Sequence, residues 1–378
     1  MKSPAVLSEQ EPQWLLARRL AAQKKHESLA LPLYKYGLGI TLDFRLCDMS
    51  LFEQKDETRV QVEAPSSINK ETGDAALKKY EHEIKAWLIN EEVNTKFDAL
   101  HAAEAKQITY INIPDNLQET GQILLTTDLQ KTRCENIFVH VGKNSAVVIA
   151  DTTNGGEENI FQSKRVYLSL EEGANVIYIT KQRLGNKTYQ LQKKHAKLAK
   201  KSSLEWIESN TGGKIVQYIT RTELNGQDAI VTSKSLLKGA GEQCFDICAE
   251  AIHNAPSTKS NLQTRTIVDG KARAIYRGLI KIQQNATNCE GLQRDDVLIL
   301  SEDARADTVP NLEISNNDVK CSHSATMTHI DDEKLFYLTS RGISEKKGKE
   351  LLVEGFAEPF FRAVEKANQQ LKNELVSG

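Results

Sequence analysis

Ile137-Phe-Val-His-Val141, Ala146-Val-Val-Ile-Ala150, Val166-Tyr-Leu-Ser-Leu170 and Asn175-Val-Ile-Tyr-Ile-Thr180 crowd into one stretch of the 378-residue chain. Each run is rich in β-branched and aromatic residues and too short for a helix, the composition of a strand. The texture extends from Ile108 to about Thr328. Ile215-Val-Gln-Tyr-Ile-Thr220, Ala229-Ile-Val-Thr232 and Asp296-Val-Leu-Ile-Leu300 continue it. Loosely similar turns separate the runs: Glu172-Gly-Ala-Asn175, Asn225-Gly-Gln-Asp228, Asp269-Gly-Lys-Ala272 and Glu302-Asp-Ala-Arg305. No strict repeat is visible, which argues against a regular propeller or leucine-rich array. A large sandwich and a parallel β-solenoid both fit. The lysine-rich stretch Gln190 to Ser203 reads as a surface hairpin or a helical insertion.

Outside this zone the pattern is helical. Glu11-Pro12 opens a segment with Trp14, Leu15, Arg18, Leu20 and Ala21 at helical spacing, and a second runs from about Ala75 to Asn90 around Ile84, Trp87 and Leu88. Tyr34 to Phe44 is expected to be extended or loop. Helices return after Asp331, through Leu335 and Phe336. Arg341-Gly342 breaks the pattern, with Gly342 at a left-handed cap and Ser344 as the next N-cap. Gly355 is expected to end that helix, and Glu358-Pro359 to open a last one through Phe361, Val364 and Leu371. The expected division is residues 1–105 helical, 106–328 β and 329–378 helical.

Composition narrows the function. Lys and Arg number 49 against 51 Asp and Glu, giving a net charge of −2 and no basic footprint for nucleic acid. No apolar run approaches the roughly 20 residues that span a bilayer, and Met1 to Gln13 does not resemble a secretory signal. Six cysteines in such a length read as reduced thiols, so the expected location is the cytoplasm. Phosphate-loop, nucleophile-elbow and His-Glu-x-x-His motifs are missing, and Gly37-Leu-Gly39 lacks a third glycine. No nucleotide site is therefore expected on this chain.

Cys244 and Cys248 would stand about 13 Å apart on one strand face, too far to share an ion, and read as structural thiols. His253 reads as a turn or packing residue. Cys321-Ser-His323 is more informative. An offset of two places both side chains on one face, about 6.6 Å apart at the backbone. Thiolate and imidazole are ligands that zinc and iron–sulfur clusters accept. Two ligands do not close a tetrahedral site. His329 is expected to fall beyond the strand, so missing ligands would come from another subunit or a small molecule. Packing of an edge-strand cysteine beside a surface histidine is the plainer alternative.

The C-terminal third carries a resemblance. Gln293-Arg-Asp-Asp-Val-Leu-Ile-Leu-Ser-Glu-Asp-Ala-Arg, Asp318-Val-Lys-Cys-Ser-His-Ser-Ala-Thr, Leu335-Phe-Tyr-Leu-Thr-Ser-Arg-Gly-Ile-Ser and Leu351-Leu-Val-Glu-Gly-Phe-Ala-Glu-Pro-Phe360 resemble the SufB/SufD family. This family comprises scaffold components of the Suf system for iron–sulfur cluster assembly. Glu11-Pro-Gln-Trp-Leu15, Lys96-Phe-Asp-Ala-Leu-His-Ala-Ala103 and His253-Asn-Ala-Pro-Ser-Thr-Lys-Ser260 also look like family segments.

The resemblance implies a mainly β fold: a right-handed parallel β-helix flanked by N- and C-terminal helical domains. It implies a non-catalytic scaffold, pairing with a SufB-like chain through the β-helix and carrying a SufC-type ATPase on the C-terminal helices. Leu335, Phe336, Ser340, Arg341, Gly342, Leu351, Glu354, Phe356 and Phe360 would form that docking region. SufB-like chains place a cluster cysteine where Gln293-Arg294-Asp295 stands here, and arginine cannot ligate iron. The branch is therefore SufD-like. Cys321 and His323 would contribute to iron, or to a transient cluster, shared with the partner. A flavin on the complex and a homodimer are left open by the sequence. A β-helical enzyme would need converging carboxylates, a catalytic histidine or a hexapeptide repeat, and a stand-alone metal protein would need three or four ligands from one chain.

Overall fold

The computed structural model of the protein describes residues 11–36, 40–47, 51 and 60–367. Gly37-Leu-Gly39 and Leu371 lie outside them. In chain order come α1 (Gln13–Ser28), the antiparallel pair β1 (Leu33–Tyr36) and β2 (Ile40–Asp43), and the short strands β3 (Gln61–Glu63) and β4 (Asn69–Thr72). Then follow α2 (Asp74–Lys79), α3 (Glu81–Leu88) and α4 (Lys96–Glu104). Next are β5 (Gln107–Ile113), β6 (Gln118–Leu129), β7 (Arg133–Val141), β8 (Ala146–Gly155), β9 (Phe161–Leu170), β10 (Asn175–Leu184), β11 (Tyr189–Leu198) and β12 (Ser203–Gly212). The series continues with β13 (Ile215–Leu224), β14 (Ile230–Gly239), β15 (Cys244–His253), β16 (Lys259–Val268), β17 (Arg273–Ile282), β18 (Cys289–Ile299), β19 (Arg305–Ile314) and β20 (Val319–His329). Two helices, α5 (Asp332–Ser340) and α6 (Glu345–Ala367), follow.

Strands hold 51% of the described residues, so the fold is mainly β. Odd-numbered strands from β5 to β19 form one sheet and even-numbered strands from β6 to β20 the other. Neighbours within these two series are parallel, and successive strands alternate between sheets, giving a parallel β-solenoid of about eight turns. The sandwich alternative is excluded by that pairing. At the first turn, β3 and β4 lie antiparallel on β6 and β5 and cover both sheet edges. At the last turn, β19 and β20 have strand partners on one side only among the described residues.

A period does exist. Val147, Val176, Leu204, Val231, Ser260, Gly291 and Cys321 are in register and recur every 27 to 31 residues. It is hidden because equivalent positions hold different residue types and the turns vary in length. One corner is uniform in backbone rather than in sequence. Asn116, Asn144, Gly173, Lys201, Asp228, Ser257 and Asn288 all have positive φ. Each sends its amide to a carbonyl one turn on, as in Asn144 to Glu172 (2.9 Å) and Asn288 to Asp318 (2.7 Å). Glycine and asparagine adopt this conformation readily, which explains the loose turn pattern.

Side chains alternate in and out, and the interior between the sheets is filled by columns such as Ile149, Tyr178, Trp206, Ser233 and Leu262. Gln190 to Ser203 is neither a hairpin nor a helix. It forms β11 and leads into β12, and Gln190, Gln192 and Lys194 point inward. Lys194 pairs with Glu208 at 2.8 Å and lies 5.2 Å from the Trp206 ring centroid. A lysine stretch looks like surface, but alternation buries every second member and an interior acid stabilises it.

The helices lie against the sides of the solenoid. Residues 75–90 divide into α2 and α3 around Tyr80 rather than forming one helix. In α4, His101 bridges Ser163 (2.8 Å) and Asn136 (3.0 Å) of the odd sheet. Gly342 takes the expected left-handed conformation, with φ 84°. Gly355 does not end a helix, and Pro359 does not begin one: α6 is continuous through both. Ala357, Phe360 and Val364 pack on outward-facing Ile179, Ile207, Leu236 and Ile267 of the even sheet, and that apolar contact outweighs both breakers.

Candidate functional site

The C-terminal mouth of the solenoid brings the sequence-predicted pair together. β20 is the outermost even strand, resting on β18 with Gly291 opposite Cys321, Gln293 opposite His323 and Asp295 opposite Ala325. Odd-numbered residues of β18 face the interior: Gln293 and Asp295 are buried, whereas Leu292 and Arg294 are not. By the same alternation Cys321 and His323 share the inward face. Since no strand lies beyond β20 among the described residues, that face is open, and His323 is exposed.

Cys321 is half-buried against the interior apolar cluster. Gly291 makes this possible: a Cβ there would stand 2.8 Å from Ile280 and 3.2 Å from the Cys321 sulfur. Burial raises the Cys321 thiol above its ordinary value, so it rests as a thiol, not a thiolate. Gln293 reaches across to Gly278 of the odd sheet, where any Cβ would overlap its side-chain amide. That amide donates to Asp295 Oδ2 at 3.3 Å. Asp295 is 2% exposed, and burial, assisted by the adjacent Asp296 charge, pushes its carboxyl up to about 7. Gln293 Oε1 and Asp295 Oδ1 have no hydrogen-bond partner. Sequence reasoning passed over Asp295; the available signal was its parity with Val297 and Ile299, which marks it as interior.

Other candidates separate from this place. Cys244 and Cys248 lie on β15, and burial pushes the Cys248 thiol up to about 12. His253 is fully buried, with Nδ1 on Thr258 (2.7 Å) and Nε2 on Ser260 (2.8 Å), a satisfied packing residue. His329 is the final residue of β20 rather than beyond it, about 20 Å along the strand from His323. Among the described residues no three His, Cys, Asp or Glu side chains form a closed metal site.

The expected docking residues divide into two groups. Phe336 is 74% exposed, and Ser340, Arg341, Gly342, Leu351 and Glu354 are also exposed, with Leu335 intermediate. Phe360 is 3% exposed and Phe356 part-buried, with Arg265 donating to the Phe356 carbonyl at 2.8 Å. Those two hold α6 to the solenoid, so Phe360 is an intramolecular contact rather than free surface.

Residues 124–356 match a family model described as the SufBD core domain of SUF-system FeS cluster assembly. The chain is similar to an iron-sulfur cluster assembly SufBD family protein of Staphylococcus epidermidis, 26% identical over 426 aligned positions, covering 93% of this chain and 86% of the relative. A Staphylococcus haemolyticus relative of the same description is 27% identical, covering 84% of each. One from Staphylococcus saprophyticus is 29% identical over 79% of this chain and 66% of its own length.

Proposed function

Since the chain belongs to the SufBD family of iron–sulfur cluster assembly proteins, we propose that it serves as a SufD-type scaffold subunit, non-catalytic itself. In this reading the solenoid coils right-handedly and the protein works in the cytoplasm. Its open mouth pairs with a SufB-like chain, and a SufC-type ATPase docks on α5 and the first half of α6. Iron and sulfur are cargo, assembled between the two scaffold chains.

The observation that carries the reading is the half-site on β20: an exposed imidazole beside a half-withdrawn thiol, on an edge with no strand beyond it among the described residues. One chain cannot complete a four-ligand centre there, and a second chain abutting the mouth could. The route for force is short. Ile330 and Asp331 alone separate β20 from α5, and α6 is fixed to the even sheet by Ala357, Phe360 and Val364. Closure of ATPase subunits holding α5 and α6 would thus act on the strand that carries His323, in proportion to ATP's differential affinity for the closed state.

The test is His323→Ala in the complex co-expressed with its scaffold and ATPase partners. Cluster iron per complex is expected to fall several-fold while subunit stoichiometry stays unchanged. Normal cluster iron would sink the assignment.

A further inference from the structure

A cavity of about 240 Å³ lies between the start of α4, strand β1 and the outward face of the odd sheet. Leu191 and Ile219 make its floor, and Tyr34 and Phe97 its walls. Lys193 and Arg277 bound it along the sheet, in one outward column that runs Lys193, Ile219, Cys248, Arg277 in register. Three strand spacings put their backbones about 14 Å apart, a span that two long side chains leaning inward shorten.

Donors and acceptors are not matched in this cavity. Asp98 already accepts four bonds: Arg165 (2.9 Å) and Lys193 (2.5 Å) on Oδ1, the Thr95 amide (3.2 Å) and hydroxyl (2.9 Å) on Oδ2. A carboxylate has about four such positions, so Asp98 is filled. At the other end the fully buried Asp246 accepts Arg277 Nε and Nη2 and the Gln217 amide. The cations are less used. Among the described residues Lys193 gives one of its three N–H groups, to Asp98, and its side chain is 37% exposed. Arg277 gives two of its five to Asp246 and is 27% exposed. Arg165, the third cation lining the cavity, is buried and committed to Asp98 and Glu91.

A ligand that suits this cavity brings acceptors rather than donors. It carries a negative group at each end and an apolar middle that lies on Leu191 and Ile219. We infer that the cavity binds a linear organic dicarboxylate, its two carboxylates taken by Lys193 and Arg277. An amino acid is a poorer match, because its ammonium would meet Asp98 filled and Asp246 buried. Inorganic phosphate would leave the apolar floor uncovered. Three cations face three acids, Glu91, Asp98 and Asp246, so the cavity is neutral overall and binding rests on the N–H groups of Lys193 and Arg277. Affinity is therefore expected to fall as salt rises. A bound dicarboxylate touches α4 and the odd sheet at once and fastens one to the other. The site does not depend on the assembly role proposed above.

Adipate is the probe, titrated into the full-length chain by isothermal titration calorimetry, with hexanoate as the single-headed control. One adipate per chain is expected, and hexanoate should bind more weakly by roughly tenfold, the worth of one charge-assisted end. Lys193→Gln and Arg277→Gln should each weaken adipate by a similar factor. Lys214→Gln, at an exposed lysine outside the cavity, should not. Ile219→Phe fills the floor without changing a charge and should abolish binding, which keeps the test decisive if a charge variant fails to fold. Four results would each overturn the inference: no adipate bound by the unaltered chain, equal affinity for hexanoate, wild-type affinity in Ile219→Phe or in folded Lys193→Gln, or equal weakening by Lys214→Gln.

Discussion

Single atoms decide the mouth of the solenoid. Gly278 exists so that Gln293 can lie flat across the interior; a methyl there would displace the amide that holds Asp295. Gly278→Ala is therefore expected to cost about 1–3 kcal/mol in denaturant unfolding, as overpacking does. Gly355→Ala is the control. It lies within α6 with nothing within 4 Å of its added carbon, so it should stabilise by up to about 1 kcal/mol. At this scale the sequence was half legible. Cys321 and His323 were readable because an offset of two fixes a shared face whatever the surroundings. Asp295 was not, because the absence of a lysine opposite it is a fact of the other sheet, where Gly278 lies 17 residues back along the chain.

Among the elements, α4 shows how a helix is fixed to a solenoid wall by charge. Thr95 and Asp98 form a capping box, and Asp98 also receives Arg165 (2.9 Å) and Lys193 (2.5 Å). Burial pushes the Asp98 carboxyl up, but Lys193 and Arg165 together outweigh it and hold the group at about 2. A carboxyl lowered on folding stabilises the protein above its unfolded value near 3.9, and that contribution disappears as pH falls through about 2. Asp98→Asn should lower stability by about 2–4 kcal/mol at pH 7, with the gap narrowing between pH 4 and pH 2 in thermal melts. Element type was readable where local pattern and burial agreed, as for the runs from Ile137 to Thr180. It failed at β11 and at Gly355-Pro359, where distant partners, Glu208 in one case and the even sheet in the other, overrode local preference.

The whole molecule has two unlike faces at its C-terminal end. The half of α6 from Ala357 onward belongs to the solenoid, whereas α5 buries no residue and presents Phe336 and Tyr337 outward, and Leu351 of α6 is exposed as well. Apolar groups exposed together mark a docking surface more readily than a stability device. Phe336→Asp with Leu351→Asp should leave the melting temperature within a few degrees and, on the docking role proposed above, abolish co-elution with a SufC-type ATPase; unchanged co-elution would remove that proposal. The strand-rich centre with helices before and after it was legible from texture, whereas β1 to β4 within the N-terminal zone were not. The number of turns was not, since the repeat resides in backbone register and left-handed corners, which a varied sequence obscures.

The contrast between the first turn, roofed by β3 and β4, and the bare last turn has a consequence for biogenesis. Ribosomes deliver the shielded terminus early and the adhesive rim late. A polypeptide truncated before β20 would therefore end on an interior coil, without Cys321 and His323, and would bare a strand edge that is paired in the full chain.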